Sequence, residues 1–599
     1  MNRVLRSCLA VALASAAGCA GSLPAPRPGG QDDRLAAAHA LDRLAFGARP
    51  GDRERVERMG VDRWIDLQLH PERIDERALE ERLARFRALE LGGQELLARY
   101  PTRPLLQDVS RGERPMPGDP SLRAIYEDQL AGEQGAEAGA TGPAVTLEEL
   151  ADLPAAERLR RLLALPPSVR LELLREARGP ARRRLLDGLE PEERDLLAAL
   201  ESPRRALAEQ AAQARLLRDV YAERQLLEVM TDFWLNHFNV YAEKGPDRWL
   251  LVELERDVLR AHALGRFRDL LGATARSPAM LFYLDNWLSA GPSSLRARRH
   301  PGAGLNENYA RELLELHTLG AEAGYTQRDV VEVARCFTGW TIERPFKEGR
   351  FVFDPRMHDP GDKLLLGHRI APGGEQEGEE VLDLLARDPR TARRIALKLA
   401  ERFVSDDPPD ALVERLARRF TASDGDVRAV LVELFHAPEF WDPSSRRAKL
   451  KTPLELVVSA ARASGAEVED AGALAAALGR MGMPLYGMAT PNGWAWTAAA
   501  WGGPGALLER FAFARALATN RLPGVRVAPG QLAGGEPAAA PEAAQARLEE
   551  GLLAGEVSRS THAAVAEALA DPRRRPRPGG DPLELAVALL LSSPEFQRR

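Results

Sequence analysis

The chain has 599 residues, 45% of them hydrophobic and 28% charged, with 82 lysines and arginines against 88 aspartates and glutamates. That is material for a sizeable core in more than one unit. The mild net charge of -6, with no basic domain and no aromatic-studded basic stripe, argues against a nucleic-acid partner.

Only Cys8, Cys19 and Cys336 are present, so a chain cleaved before Cys19 keeps one cysteine in its folded part and stability has to come from packing. Arg3 and Arg6 precede a run of small and apolar residues from Ser7 to Ala17, the build of a secretory signal that is too short to span a bilayer. The run ends Ala16-Ala17-Gly18-Cys19, which resembles the lipobox of bacterial lipoproteins, with Ala16 where leucine is usual. That resemblance implies lipidation of Cys19 and, because Ala20 and not aspartate follows, sorting to the outer membrane. Ordinary cleavage near Ala17 without lipid is the alternative. The expectation is an exported protein, held to the membrane through Cys19 or free in the periplasm or at the cell surface.

Beyond the signal at 1–19, Ala-, Leu-, Arg- and Glu-rich segments at helical spacing dominate and alternating β-branched runs are scarce, so the predicted fold is mainly α: a multi-helix body with one small β-hairpin and helical insertions. Residues 20–131 read as an N-terminal helical segment, with two helices from His39 to Glu76 joined at Gly47-Ala48-Arg49-Pro50-Gly51. Residues 132–205 read as a linker followed by an insertion in which leucine pairs recur at Leu162-Leu163, Leu173-Leu174, Leu185-Leu186 and Leu196-Leu197, separated by prolines. Each unit is at most a short amphipathic helix that needs its neighbours. The main body spans 206–525, with long helical stretches from Ala206 to Ala273 and from Asn306 to Trp340. Its predicted hairpin at 350–368 has Phe351-Val352-Phe353 and Leu364-Leu365-Leu366 as strands. A linker and C-terminal helices fill 526–599.

Three segments carry chemistry. Leu226, Met230, Phe233 and His237 fall on one stripe, which turns His237 inward. In a regular helix from Asn306, residues Asn308, Arg311, Glu312 and Glu315 share a polar face while His317 lies on the apolar one, so the carboxylates and the histidine cannot serve one ligand. An Arg311–Glu315 surface pair is the ordinary alternative. Two inward histidines could bind a metal or transfer protons, or be hydrogen-bonded core residues. The loop Arg356-Met357-His358-Asp359-Pro360-Gly361-Asp362-Lys363 crowds charge on a turn, which is either a site or a solvated bend. His237, His358, Asp359 and Glu312 are thus the candidates for acid–base work, and His237, His317 and His358 for a divalent metal. Asn236, Asn308, Arg311, Arg356, Lys363 and Trp494 are the candidates for substrate contact. Trp494 lies on the glycine-rich loop Tyr486–Trp496, whose aromatics suit either sugar stacking or core anchoring. Cys336, among Val333, Ala334 and Phe337, reads as a small core residue.

Asn306-Glu307-Asn308-Tyr309-Ala310-Arg311-Glu312-Leu313-Leu314-Glu315-Leu316-His317-Thr318-Leu319-Gly320, with Gly324-Tyr325-Thr326-Gln327 and Phe337-Thr338-Gly339-Trp340, resembles the bacterial domain-of-unknown-function family 1800. Trp234-Leu235-Asn236-His237-Phe238, His358-Asp359-Pro360-Gly361-Asp362-Lys363, Leu41-Asp42-Arg43-Leu44-Ala45-Phe46-Gly47 and Ser593-Pro594-Glu595-Phe596 extend the resemblance over most of the chain. It implies export and a secreted partner related to sulfatases, and assigns no activity. The expected function is binding or hydrolysis of an anionic or sugar-containing envelope substrate in a pocket of histidine, carboxylate and arginine. The competing expectation is a non-catalytic surface assembly or scaffold protein acting with that partner.

Overall fold

Helices form wherever the apolar spacing of 3.6 is sustained, and about 63% of the computed structural model is helical. Its described residues are 33–133, 145–300, 302–535, 540–570 and 581–599; the signal, Cys8, Cys19 and most of the small-residue linker lie outside them. Among the described residues no helix is long and apolar enough to cross a membrane.

At the N-terminus Asp33–Leu44 is followed by Asp52–Met59 and Val61–Leu69, so the second predicted helix is split at Gly60, whose φ of 89° no continuing helix allows. Gly47 is needed for a close approach: a Cβ there would meet the Ser459 side chain at 3.2 Å, and its carbonyl accepts from Arg462 Nε at 2.8 Å. The leucine pairs lie on four short helices, Ala155–Leu163, Pro167–Glu176, Gly179–Leu186 and Pro191–Glu201, three of them with proline in the first turn. Their inward leucines join Leu96, Leu97, Tyr100, Ile125 and Trp249 in a second core beside the main one. Arg170, 1% exposed, fixes that packing by donating to Asp128 and to the Leu163 carbonyl at 2.7 Å.

The main body is built on Pro203–Tyr221, Gln225–His237 and a continuous helix over 247–262. Two of its helices contain a π-turn, at Leu254–Leu259 and at Leu313–His317, so the helix that starts at Asn308 is not regular. The stretch predicted to run helical through Trp340 ends at Cys336, because Gly339 at φ 87° turns the chain into a strand. The single expected hairpin is two. Strand β1 (Trp340–Glu343) pairs antiparallel with β2 (Arg350–Phe353), and β3 (Lys363–Leu365) with β4 (His368–Ile370). Leu366 and Gly367, at φ 49° and 85°, are the two turn residues of the second hairpin, which removes Leu366 from the strand. A third two-stranded sheet pairs β5 (Glu467–Val468) with β6 (Val525–Arg526).

Candidate functional site

The predicted stripe of Gln225–His237 is buried throughout, and His237, 2% exposed, ends it inside the main core. Its ring lies 6.1 Å from that of His317, between Trp234, Phe238 and Phe267. His237 Nε2 is 3.2 Å from the backbone carbonyl of His317, and Nδ1 is 3.0 Å from Lys398 Nζ. A carbonyl only accepts, so the network assigns the proton to Nε2, leaves the Nδ1 lone pair inward, and makes Lys398 the donor to it. Burial, reinforced by Lys398, His317 and Arg394, holds His237 neutral well below the usual histidine range, and burial with Lys398 and Arg394 lowers His317 to about 3. Burial also lowers Lys398 to about 7, with Arg394 adding to the effect and Glu401 opposing it. Lys398 is half-buried as a residue while its amine is desolvated, so it holds a near-neutral proton, which a surface lysine lacks. With both ring nitrogens engaged, His237 is a relay or an orienting group and not a free metal ligand.

The π-turn explains the rest of this segment. Arg311 does not pair with Glu315: it reaches Glu307 at 3.3 Å and Gln327 at 2.9 Å, because the wider turn starting at Leu313 removes Glu315 from the i+4 position. Glu312 and Glu315 remain half-buried on the outer side with Arg311, and burial together with Glu315 raises the Glu312 carboxyl. Asn308 is exposed at the start of the helix. His317, Leu313 and Leu314 face the core, as the apolar stripe requires.

The charged loop is not a solvated turn. His358 is 7% exposed and Lys363 2% exposed, and both converge on Glu377, a residue the sequence reading missed. His358 Nε2 contacts Glu377 Oε1 at 3.0 Å, Lys363 donates to Glu377 Oε2, and the His358 Nδ1 lies 2.8 Å from the Thr338 carbonyl. Glu377 stands third in the helix Glu375–Arg387 and also accepts from Gly373 N–H at 2.8 Å. Asp359 accepts from Arg335 at 2.9 Å and from the Gly361 N–H at 2.9 Å. Burial alone would raise both carboxylates, but His358 and Lys363 hold Glu377, and Arg335 with Gly361 holds Asp359, below the ordinary carboxylate range. These groups satisfy one another, so the loop motif ties two hairpins to two helices. His358 shares no contact with His237 or His317. Among the described residues no three histidine, cysteine, aspartate or glutamate side chains are grouped to hold a metal, so the three predicted ligands are not one set.

Asn236 and Trp494 are also accounted for by packing. The Asn236 amide donates to the Trp494 carbonyl at 2.8 Å and accepts from its N–H at 2.6 Å, while Asn239 donates to the carbonyls of Met488 and Thr490. The two asparagines clamp the glycine-rich loop onto the His237 helix, and Trp494 packs at 6.0 Å on Trp501. Arg356 stands apart: its side chain is 73% exposed, lies 2.8 Å from Asp354, and borders a surface groove of about 580 Å³. Its walls include Trp287, Leu288, Arg296, Phe353 and Met357, with the acidic residues Glu343 and Asp354.

The family model described as "Protein of unknown function (DUF1800)" matches residues 39–598. The chain belongs to this family. No curated protein and no solved structure matches it. Four of the segments that carried the resemblance build the two buried networks: the His237 helix and the His317 π-turn in one, Phe337–Trp340 and the His358–Lys363 loop in the other. Cys336, at the join of helix and turn, is fully buried, and burial pushes its thiol up to about 12, as fits an inert core residue.

Proposed function

We propose that this DUF1800 protein is an exported envelope protein that binds an anionic, sugar-containing ligand in the groove bordered by Arg356. The observation that carries this reading is the groove itself. Its volume of about 580 Å³ falls within the roughly 300–1,000 Å³ of ligand sites, and it combines two exposed arginines with aromatic walls. Trp287, stacked on Phe282 at 5.1 Å, and Phe353 offer apolar surface for sugar rings; Arg296 offers donors to carboxylate, sulfate or phosphate, and Arg356, whose Nε and one terminal nitrogen already donate to Asp354, offers its remaining terminal nitrogen. The signal and lipobox at 1–19 support the compartment.

Hydrolysis has narrower support. No histidine lines the groove, and the group suited to proton transfer, Lys398, belongs to the His237 network. The scaffold reading with a secreted sulfatase-like partner is favoured by one observation: the His358–Glu377–Lys363 network is closed on itself, as a packing device is. Titration of the full chain with uronic-acid oligosaccharides and their neutral counterparts, followed by tryptophan fluorescence, separates the readings. Saturable binding of the acidic sugars that weakens at least tenfold in Arg296→Ala/Arg356→Ala is the expected result. Equal binding of neutral sugars, or no binding, removes the ligand proposal and leaves the scaffold.

A further inference from the structure

A cavity that shares no lining residue with the Arg356 groove lies where the helix Asp33–Leu44 meets the end of Pro541–Leu553 and the segment containing Phe596. These elements enclose a cavity of about 50 Å³, open to the surface and several times the roughly 10–15 Å³ that one water needs.

The charges on its walls can be accounted for one by one. Arg446 and Arg447 pair with Glu556. Glu595 accepts from the Ser558 N–H at 2.9 Å and from Thr561. Arg53 donates to the Gly551 carbonyl at 2.7 Å, and Arg598 to that of Ala448. His39 Nε2 contacts the Phe440 carbonyl at 2.9 Å, and burial lowers the ring to about 3, so it is neutral.

Two wall groups are left. Lys451 is 5% exposed, and its ammonium has no hydrogen bond or ion pair among the described residues; it rests 3.9 Å above the Phe596 ring. Asp42 is half-buried, faces the same cavity, and likewise has no such partner there. The two do not come within the 4.0 Å of an ion pair. An ammonium this buried is costly unless compensated, and a carboxylate held across a gap compensates it weakly. Among the groups acting on Lys451, Asp42 is the largest that favours its charged form, yet burial still lowers the lysine to about 8.

We infer that this cavity binds a small zwitterion of the α-amino acid class, its carboxylate on Lys451 and its ammonium on Asp42. Such a ligand supplies both missing partners at once, which neither an anion nor a cation does: an anion would meet Asp42 and a cation would meet Lys451. The volume restricts the side chain to that of glycine or alanine, and Leu35, Ala38 and Leu552 offer it apolar contact.

The test is calorimetric titration of the full chain with glycine and L-alanine, with acetate and inorganic phosphate as one-charge probes, in the wild type, Lys451→Met and Asp42→Asn. Saturable glycine or alanine binding that weakens at least tenfold in each variant, with acetate weaker than alanine, is the expected result. No saturable binding of either amino acid, or binding unchanged by Lys451→Met, overturns the site. Acetate or phosphate binding as tight as alanine overturns the zwitterion assignment in favour of a plain anion site. Lys451→Met removes an unpaired buried charge, so the ligand-free variant should melt no lower than the wild type. Asp42→Asn, at a half-buried position, carries the test independently if that variant does not fold.

Discussion

Replacing Glu377 by glutamine decides whether the His358–Lys363 motif holds the fold together or serves chemistry. Glu377 is 1% exposed, and its carboxylate is the acceptor for His358 and the closest acidic partner of Lys363, whose other carboxylate, Asp359, is 4.0 Å away. Breaking a buried pair from one side leaves an uncompensated charge and typically costs about 3–5 kcal/mol. Because Asp359 still screens the lysine, the lower end, about 3 kcal/mol, is expected for Glu377→Gln. Lys363→Met alone leaves Glu377 with His358 and the Gly373 N–H and should cost less. In the double variant both charges are gone, and replacement of a buried pair by uncharged groups is often nearly neutral, so it should recover more than half of the single loss. Urea unfolding of the four proteins, followed by circular dichroism, gives the cycle. A single-variant loss below about 1 kcal/mol, or a double variant equal to the sum of the two singles, would refute the account of this network as a packing device.

Lys398 should react with acetic anhydride along a titration centred near pH 7, well below an ordinary lysine at about 10.4; a midpoint close to the ordinary value would end its candidacy as a proton-transfer group. His237 and His317 are held below the unfolded histidine pKa, so the unfolded chain gains protons that the native state refuses as pH falls below about 6.5. Stability should therefore drop toward acid, by up to about 1.4 kcal/mol per pH unit for each histidine. The difference in melting temperature between wild type and His317→Gln should shrink from pH 6.5 to pH 4, and parallel profiles would contradict the assignment. Gly493, at φ 73°, would place a Cβ inside the contact radius of the Asn236 carbonyl oxygen, so Gly493→Ala should destabilise by at least about 2 kcal/mol in urea unfolding. Cys19→Ala should abolish incorporation of labelled fatty acid into the chain expressed in a Gram-negative host; label retained in that variant would place the lipid elsewhere.

Much of the architecture was legible because it rests on local pattern. The buried stripe ending at His237, the inward turn of His317, the proline-separated leucine pairs and the burial of Cys336 each follow from spacing within a single element. The errors are instructive for the opposite reason. Strand Phe351–Phe353 was given the wrong partner because pairing is a tertiary choice; its true partner, Trp340–Glu343, carries aromatic and β-branched residues after Gly339 but is short and directly follows a helix, which hid it. Arg311–Glu315 was the expected pair because i,i+4 reasoning assumes a regular helix, and nothing in Leu313-Leu314-Glu315-Leu316-His317 announces a π-turn.

The missing site residues show the same limit at longer range. Lys398 sits in Ile395-Ala396-Leu397-Lys398-Leu399-Ala400, one charge inside an apolar run, a signal that could have marked it as buried, but its partner is 161 residues away. Glu377 looks like an ordinary first-turn carboxylate of its helix and acts as one toward Gly373, and only the fold brings Lys363 and His358 to its other lone pairs. His237 and His317 are joined through backbone and not as two ring ligands for a physical reason. The π-turn directs the His317 carbonyl, not its ring, at His237, which fixes the His237 tautomer and presents its Nδ1 lone pair to Lys398. A regular helix would have bonded that carbonyl onward or left it to solvent, and Lys398 would have lost the neutral acceptor that lets a buried amine stay bonded without a carboxylate. Of the two buried networks this is the one suited to moving a proton, and the near-neutral titration of Lys398 is the property on which that depends.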